Sequence, residues 1–433
     1  MVETLQPGRP LPPSLWAATA PPAPACPALD QSTTADVLVI GAGYTGLSTA
    51  LHLAEAGAAV VVVDAQQPGW GASGRNGGQV NPTLKHDPDE LVRRYGGAVA
   101  EPLIDAVGRS ADRVFDLIER HRIGCDPVRN GWLQVGYSEQ AVAAMHARAA
   151  QWAARGAPAD PLDRAEVARR LGTPAFAGGW LDRRAGAIQP LAYAHGLAAA
   201  LQRAGGRLHG ATQITSLDRH GRRWRGQTPS GAQIDAEQVV IATNGYTGAL
   251  WPGLAQTVLA ANSFIVATEP LAGDAARTIL PGGETASTSQ RLLLYFRRDT
   301  AGRLLLGGRG RFAEPSAPSD FGHLERALAL LYPQLGPLRI DYRWAGRIAV
   351  TLDAMPHVHQ PAPGVLIALG YNGRGVALAT SVGYHLAQRL LRADAPLPFP
   401  ASPIAPIPLH RLQRLYIAAG VAWYSVLDRV VRR

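Results

Sequence analysis

Three glycines and one carboxylate carry the first chemistry this sequence can do. Gly41, Gly43 and Gly46 spell G-x-G-x-x-G, and Asp64 follows 18 residues after the last of them. Without Cβ atoms these positions permit a tight turn, close approach of a pyrophosphate and close packing of a helix on a sheet, while the acid accepts from ribose hydroxyls. Residues 37–40 read as a buried strand, 44–56 as a helix that Gly57 stops, and 59–63 as a second strand. The first turn of that helix, Tyr44 and Thr45 included, turns its free N–H groups and positive dipole end to the phosphates. A G-x-G-x-x-G alone describes any glycine-rich turn; with strand, helix, second strand and acid it describes an adenine-dinucleotide site, with Asp64, Ala65 and Gln66 at the ribose. An acid where a 2'-phosphate would need a base favours FAD or NAD over NADP.

A second constellation follows at 67–79, where five glycines fall in 13 residues with no apolar periodicity. Such a backbone is built to approach something flat or anionic. Six residues beyond its end stands Lys85, the single lysine in a chain with 41 arginines. A chain that uses Arg elsewhere keeps here an amine whose compact charge and variable protonation a guanidinium does not imitate. No Ser-His-acid or Cys-His arrangement and no metal-ligand spacing occurs, so His195, His357 and His359 read as structural.

The elements that must position these residues alternate in type. Helical patterns at 106–121 and 139–155 flank a strand at 131–136, and Pro190 opens a helix at 191–204. A β-rich run at 207–228 meanders into the buried strand of 238–246. Alternating strands at 262–268, 292–297 and 303–308 form a separate sheet, with Tyr295, Arg297 and Arg309 facing inward. Residues 365–369 are another buried strand, and glycines at 370–375 precede a helix at 377–391.

The loop G-A-S-G-R-N-G-G-Q at 71–79 resembles the flavin-contacting loop of the D-amino acid oxidase and glycine oxidase superfamily, above all that of bacterial gamma-glutamylputrescine oxidoreductases. The resemblance extends to the segment ending Ala242-Thr-Asn244, to G-Y-N-G-R-G-V at 370–376, to Pro333-Gln-Leu335 and to the stretch 422–429. It implies FAD, contacted by Gly71, Ala72, Ser73, Arg75, Asn76, Gly77, Gly78 and Gln79, by Gln213, Ile214, Ala242, Thr243 and Asn244, and by Tyr371, Asn372, Gly373, Arg374, Gly375 and Val376. The last helix would turn its N-terminus to the flavin pyrimidine edge and stabilise the anionic reduced ring. Sarcosine-oxidase-like relatives attach FAD through a Cys in the segment that here reads Arg347-Ile-Ala-Val-Thr-Leu-Asp353, others through a His near the first flavin loop. Neither residue is present, so the FAD is expected to be noncovalent.

The resemblance further implies an α/β fold: a Rossmann-type FAD-binding domain with a parallel sheet and β-meander, and an α+β substrate domain with a mainly antiparallel sheet. The expected division is an extension at 1–35, the FAD domain at 36–90, 185–255 and 340–395, the substrate domain at 91–184 and 256–339, and a tail at 396–433. The implied reaction oxidises the C–N bond of an amine by hydride transfer to flavin N5, with imine hydrolysis and reoxidation by oxygen or another acceptor. Lys85 is the available oxygen-activating cation, Tyr371 and Trp344 the aromatic walls, and Tyr295, Arg297, Arg309 and Arg347 the substrate contacts. A D-amino acid or N-methyl amino acid dehydrogenase or oxidase, and a flavin-binding protein without turnover, are the alternatives.

Composition bounds the partners. The 433 residues suit two domains, and 47% hydrophobic residues support a sizeable core. The net charge of +9 is scattered rather than clustered, which points to small anionic molecules and away from nucleic acid. Cys26 and Cys125 give no disulfide framework, in keeping with a reducing cytoplasm. No run reaches the roughly 20 apolar residues a bilayer span requires; the stretch 416–427 is too short.

Overall fold

The computed structural model describes residues 6–290, 292–310 and 312–413. The sequence features at 416–427 and 422–429 lie outside the described residues. Among those described, two eight-stranded sheets carry the architecture.

Runs of β-branched residues form the centre of the first sheet. All of Val60–Val63 and the last four residues of Thr33–Ile40 are buried, as in parallel strands covered by helices on both faces. The order is His357–Ala362, Val365–Leu369, Gln233–Ile241, Thr33–Ile40, Val60–Val63, Arg207–His209. All these neighbours pair in parallel except the antiparallel edge His357–Ala362. Ser216–His220 and Arg223–Gln227 form the meander on Gln233–Ile241. The helix Tyr44–Glu55 packs on Gly375–Leu391 and Pro190–Arg203. Glycine is required at its start: a Cβ on Gly46 would stand 1.9 Å from the Gly41 carbonyl oxygen, and Gly41 itself has φ +112° with the Ala242 oxygen 2.8 Å from where its Cβ would be.

The second sheet runs Ile340–Val350, Leu259–Pro270, Arg303–Arg309, Tyr295–Arg298, Thr285–Thr288, Trp132–Gly136, Gly178–Asp182, Ala159–Leu162. Its neighbours are antiparallel except Thr285–Thr288 against Trp132–Gly136. The helix Gly322–Leu331 covers one face with Leu324 and Leu328.

Three expectations need correction. Ile340–Val350, assigned from sequence to the FAD domain, pairs with Leu259–Pro270 along ten registered residues and is the edge of the second sheet, so the chain returns to the first domain only after Val350. The helical pattern at 106–121 is two helices, Gly97–Gly108 and Ser110–His121, and both pack on Gly375–Leu391, which ties this part of 91–184 to the FAD domain. The third concerns the extension expected at 1–35, of which the described residues pack into the fold. Ser14 caps a short helix, Leu15–Thr19, whose Leu15 and Trp16 are 0% and 1% exposed, and residues 33–35 already belong to the first strand.

Candidate active site

A cavity of about 460 Å³ opens where the carboxyl ends of the first sheet meet the second sheet. Strand-to-helix turns build one side of it. Gly43, Tyr44 and Thr45 come from the start of Tyr44–Glu55, and Asn372 to Val376 from the start of Gly375–Leu391. Neither N-cap residue supplies a side-chain cap; Tyr44 N donates to Ser73 Oγ (3.0 Å), and the other first-turn N–H groups are left as donors. Between them runs the 71–79 loop, of which Ala72, Ser73, Arg75, Asn76, Gly77 and Gln79 line the cavity, with Ala242 and Asn244 below.

The loop is locked by its own side chains. Tyr44 Oη donates to the Ser73 carbonyl (2.5 Å), Asn76 Nδ2 donates to the same oxygen (2.8 Å), and Gly78 N donates to Asn76 Oδ1 (2.7 Å). Arg75 is 3% exposed, bonds the Gly71 and Ala345 carbonyls and the Tyr246 hydroxyl, and lies over the Trp70 ring. Tyr371 lines the cavity with its hydroxyl 2.6 Å from Thr45 Oγ1, bridging the two helix starts, and burial drives its phenol well above its usual range.

The opposite wall belongs to the second sheet. Tyr295 packs its ring against Gly77, bonds Ser263 Oγ at 2.7 Å, and is pushed up to about 12 by burial. Arg309, Asn262, Ser287 and Trp132 also face the space, the last donating its indole N–H to Ser287 Oγ (3.0 Å). From Ile340–Val350 the cavity receives Gly346, Ile348, Ala349 and Val350. Lys85 also lines the cavity, beside Arg374, with its side chain exposed to solvent. The adjacent Arg374 guanidinium, then burial, then Arg148 push its amine down to about 7.

Three expected substrate or wall residues face elsewhere. Trp344 is 2% exposed, donates its indole N–H to the Arg75 carbonyl (3.0 Å) and meets Trp16 edge-on at 5.8 Å; it braces the loop from behind. Arg297, 5% exposed, donates to the Gly78 and Ile188 carbonyls at 3.3 and 3.0 Å and sits over Trp16; burial pushes it down to about 10. Arg347 points into a second crevice, against Tyr246 and 3.9 Å from Glu314. Strand alternation separates it from Gly346 and Ile348, its neighbours on the cavity side.

The remaining expected cofactor residues flank the cavity. Asp64 lies at the end of Val60–Val63, with Oδ2 accepting from Ala42 N (2.7 Å) and Oδ1 from Gln66 N (2.8 Å); burial raises its carboxyl above the usual range against these two bonds. Ala65 accepts from Gly8 N, Gln66 bonds both Arg9 N and the Gln6 carbonyl, and Thr212 N donates to the Asp64 carbonyl just before Gln213 and Ile214. Gly41, Gly46, Gly71, Gly78 and Thr243 shape the turns without lining the cavity. Sequence reasoning missed Asn81, Asn262, Ser287, Ile348 and the N-terminal helix. For Asn81 the signal was period-two alternation from Gln79, and for the helix a Ser cap ahead of Leu-Trp.

Residues 36–389 match the family model described as FAD dependent oxidoreductase, DAO. The chain belongs to the DAO family. It is 35% identical to the gamma-glutamylputrescine oxidoreductase of Escherichia coli over 408 residues, 93% of this chain and 95% of that one. The fold matches a glycine oxidase structure from Geobacillus kaustophilus with TM-score 0.72 and 21% identity, covering 87% of this chain and 99% of the other. An L-proline dehydrogenase structure from P. horikoshii matches with TM-score 0.72 and 19% identity, over 85% and 96%. As a DAO-family member the protein is an FAD-dependent oxidoreductase with a Rossmann-type domain. The residues present fit the cofactor: two helix N-termini supply donors for a pyrophosphate and for a ring edge, and the glycine-rich loop lies between them.

Proposed function

We propose that this DAO-family enzyme oxidises the terminal amine of a γ-glutamylated diamine, such as gamma-glutamylputrescine, with noncovalently held FAD and oxygen as acceptor. FAD supplies the hydride acceptor at the carbon bearing the nitrogen. The observation that carries the reading is the charge of the cavity: Arg75, Lys85, Arg309 and Arg374 line it, and no Asp, Glu, His or Cys does among the described residues.

Such a wall disfavours an ammonium and lowers the pKa of an incoming amine, so the amine sits in the neutral form from which hydride can leave. A free diamine, carrying two positive charges, is repelled; an acylated one that brings a carboxylate is not. Ile348, Val350 and Ala354 offer apolar contact for a methylene chain. With no Asp, Glu or His on the lining among the described residues, the chain's main task is placement and water exclusion. The absence of Cys and His from the lining supports a cofactor without a covalent tether. We place the protein in the cytoplasm, where its unpaired Cys26 and Cys125 remain thiols.

Anaerobic addition of gamma-glutamylputrescine to the yellow protein should bleach the flavin band, and admitting air should release hydrogen peroxide and ammonia. A band that stays oxidised with every amine tried points to a flavin-binding protein without turnover. Arg309 on the cavity wall favours one second reading, oxidation of an α-amino acid held by its carboxylate; a keto acid product in place of an aldehyde would establish it.

A further inference from the structure

Lys85 and Arg374 reach the same cavity from distant parts of the chain, one from the segment after the flavin loop, the other from the start of Gly375–Leu391. Arg374 is held in place by donating from Nε to Thr83 Oγ1 at 3.0 Å. Behind them Arg148 bonds Asp87 and, at 2.7 Å, Gln134 Oε1, so the Asp87 carboxylate is already paired with an arginine that does not line the cavity. The Lys85 ammonium itself has no hydrogen-bond or ion-pair partner among the described residues. Asn81 also lines the cavity; its side-chain oxygen is buried without a hydrogen-bond partner, and its amide nitrogen is 3.3 Å from Gln79 Oε1.

Like charges side by side repel even where Lys85 reaches solvent, and a buried acceptor without a donor loses its hydration. One ligand chemistry satisfies both cations and the acceptor. We propose that this end of the cavity is a recognition subsite for an α-amino acid head remote from the oxidised carbon: Lys85 and Arg374 hold its carboxylate, and Asn81 Oδ1 accepts from its ammonium. The inference rests on the reading of the cavity as the site of amine oxidation, and it assigns to that site the part of the substrate that is not consumed. It also assigns Lys85 a role different from the oxygen-activating one expected from sequence.

The probe is γ-glutamyl-n-butylamide, which carries the head but no oxidisable terminal amine, titrated calorimetrically into the full-length FAD-loaded protein beside N-butylacetamide, which lacks the head. The head analogue should bind about tenfold or more tightly than the acetamide, and Lys85→Met should weaken it by about tenfold or more, the scale of a lost charged hydrogen bond. Lys85→Arg should recover most of that loss, and Asn81→Ala should weaken the head analogue by about threefold or more, the scale of a neutral hydrogen bond. Equal affinity for the two probes, or equal affinity of wild type and Lys85→Met for the head analogue, overturns the subsite. So does a Lys85→Met protein that keeps the analogue's affinity while dithionite-reduced flavin reoxidises more slowly in oxygen, since that places the charge at oxygen. Because the probe needs no turnover, a flavin that gamma-glutamylputrescine fails to bleach would sink the amine reading alone.

Discussion

Asp64 engages both carboxylate oxygens with backbone, Oδ2 with Ala42 of the glycine turn and Oδ1 with Gln66 beyond the strand. A carboxylate oxygen accepts more than one bond, so the same side chain can serve a ribose and hold the turn. Asp64→Ala should weaken FAD binding by about 1–3 kcal/mol, read from fluorescence titration of the deflavinated protein. Asp64→Asn, which keeps one acceptor oxygen, should lose less; unchanged affinity in both variants would remove Asp64 from the ribose. Lys85 yields a prediction in pH. Its amine is lowered to about 7 by Arg374 first, so it is charged below that value and neutral above. Arg374, lowered by burial only to about 10, keeps its charge through this range; Asp87 is bound to Arg148, and His86 is turned to Glu90 and the Asp353 carbonyl. Affinity for the head analogue should therefore fall as pH rises through about 7, by up to roughly tenfold per unit, with Lys85→Arg flattening the profile. A wild-type profile as flat as that of Lys85→Arg would show that the amine does not titrate at the ligand.

Leu15–Thr19 shows how an element too short to form by itself is made by tertiary contacts. Trp16 donates its indole N–H to the Asn76 carbonyl (2.8 Å), accepts from Gln189 Nε2 through its own carbonyl (3.0 Å), and packs between Trp344 and Arg297. Upstream, Pro10 accepts from the Trp70 indole at 2.9 Å. This segment straps the flavin loop from outside. Trp16→Ala should cost about 3–5 kcal/mol of stability, as for other buried aromatic truncations, and should raise the Kd for FAD because Asn76 loses its anchor. Thermal melts with and without added FAD check both: a lowered Tm with an unaltered FAD-dependent shift would confine the strap to stability.

At the scale of the molecule, two sheets close on one space, and the cofactor's attachment is decided by what reaches that space. Cys125 is buried away from it, and Cys26 lies beside Gly210 near Asp64. Acid precipitation should therefore release all the flavin into the supernatant; yellow colour retained in the pellet would mean a covalent link. The parallel sheet brings its strand ends and two helix N-termini to one side of this space, and the second sheet supplies the opposite wall.

The dinucleotide half was legible because its signals are local. Gly46 is demanded by the Gly41 carbonyl within one turn, and the all-valine strand announces its burial on both faces, so spacing alone sets the helix start at Tyr44 and the strand that ends before Asp64. The G-Y-N-G-R-G-V stretch is likewise read from the glycines that precede its helix. The substrate wall follows different physics. Which of Trp344, Gly346, Arg347 and Ile348 faces the cavity depends on the register of Ile340–Val350 against Leu259–Pro270 and on where the sheet's edge ends, and a one-residue change of phase exchanges the two faces. Arg297 looked like a substrate clamp and is instead buried beneath the flavin loop by Trp16, a residue 281 positions earlier in the chain. Lys85 stood out from sequence by its solitude; its neighbour Arg374, which lowers its pKa, and the orphan oxygen of Asn81 became neighbours in function only once the two helix starts and the second sheet enclosed the same cavity.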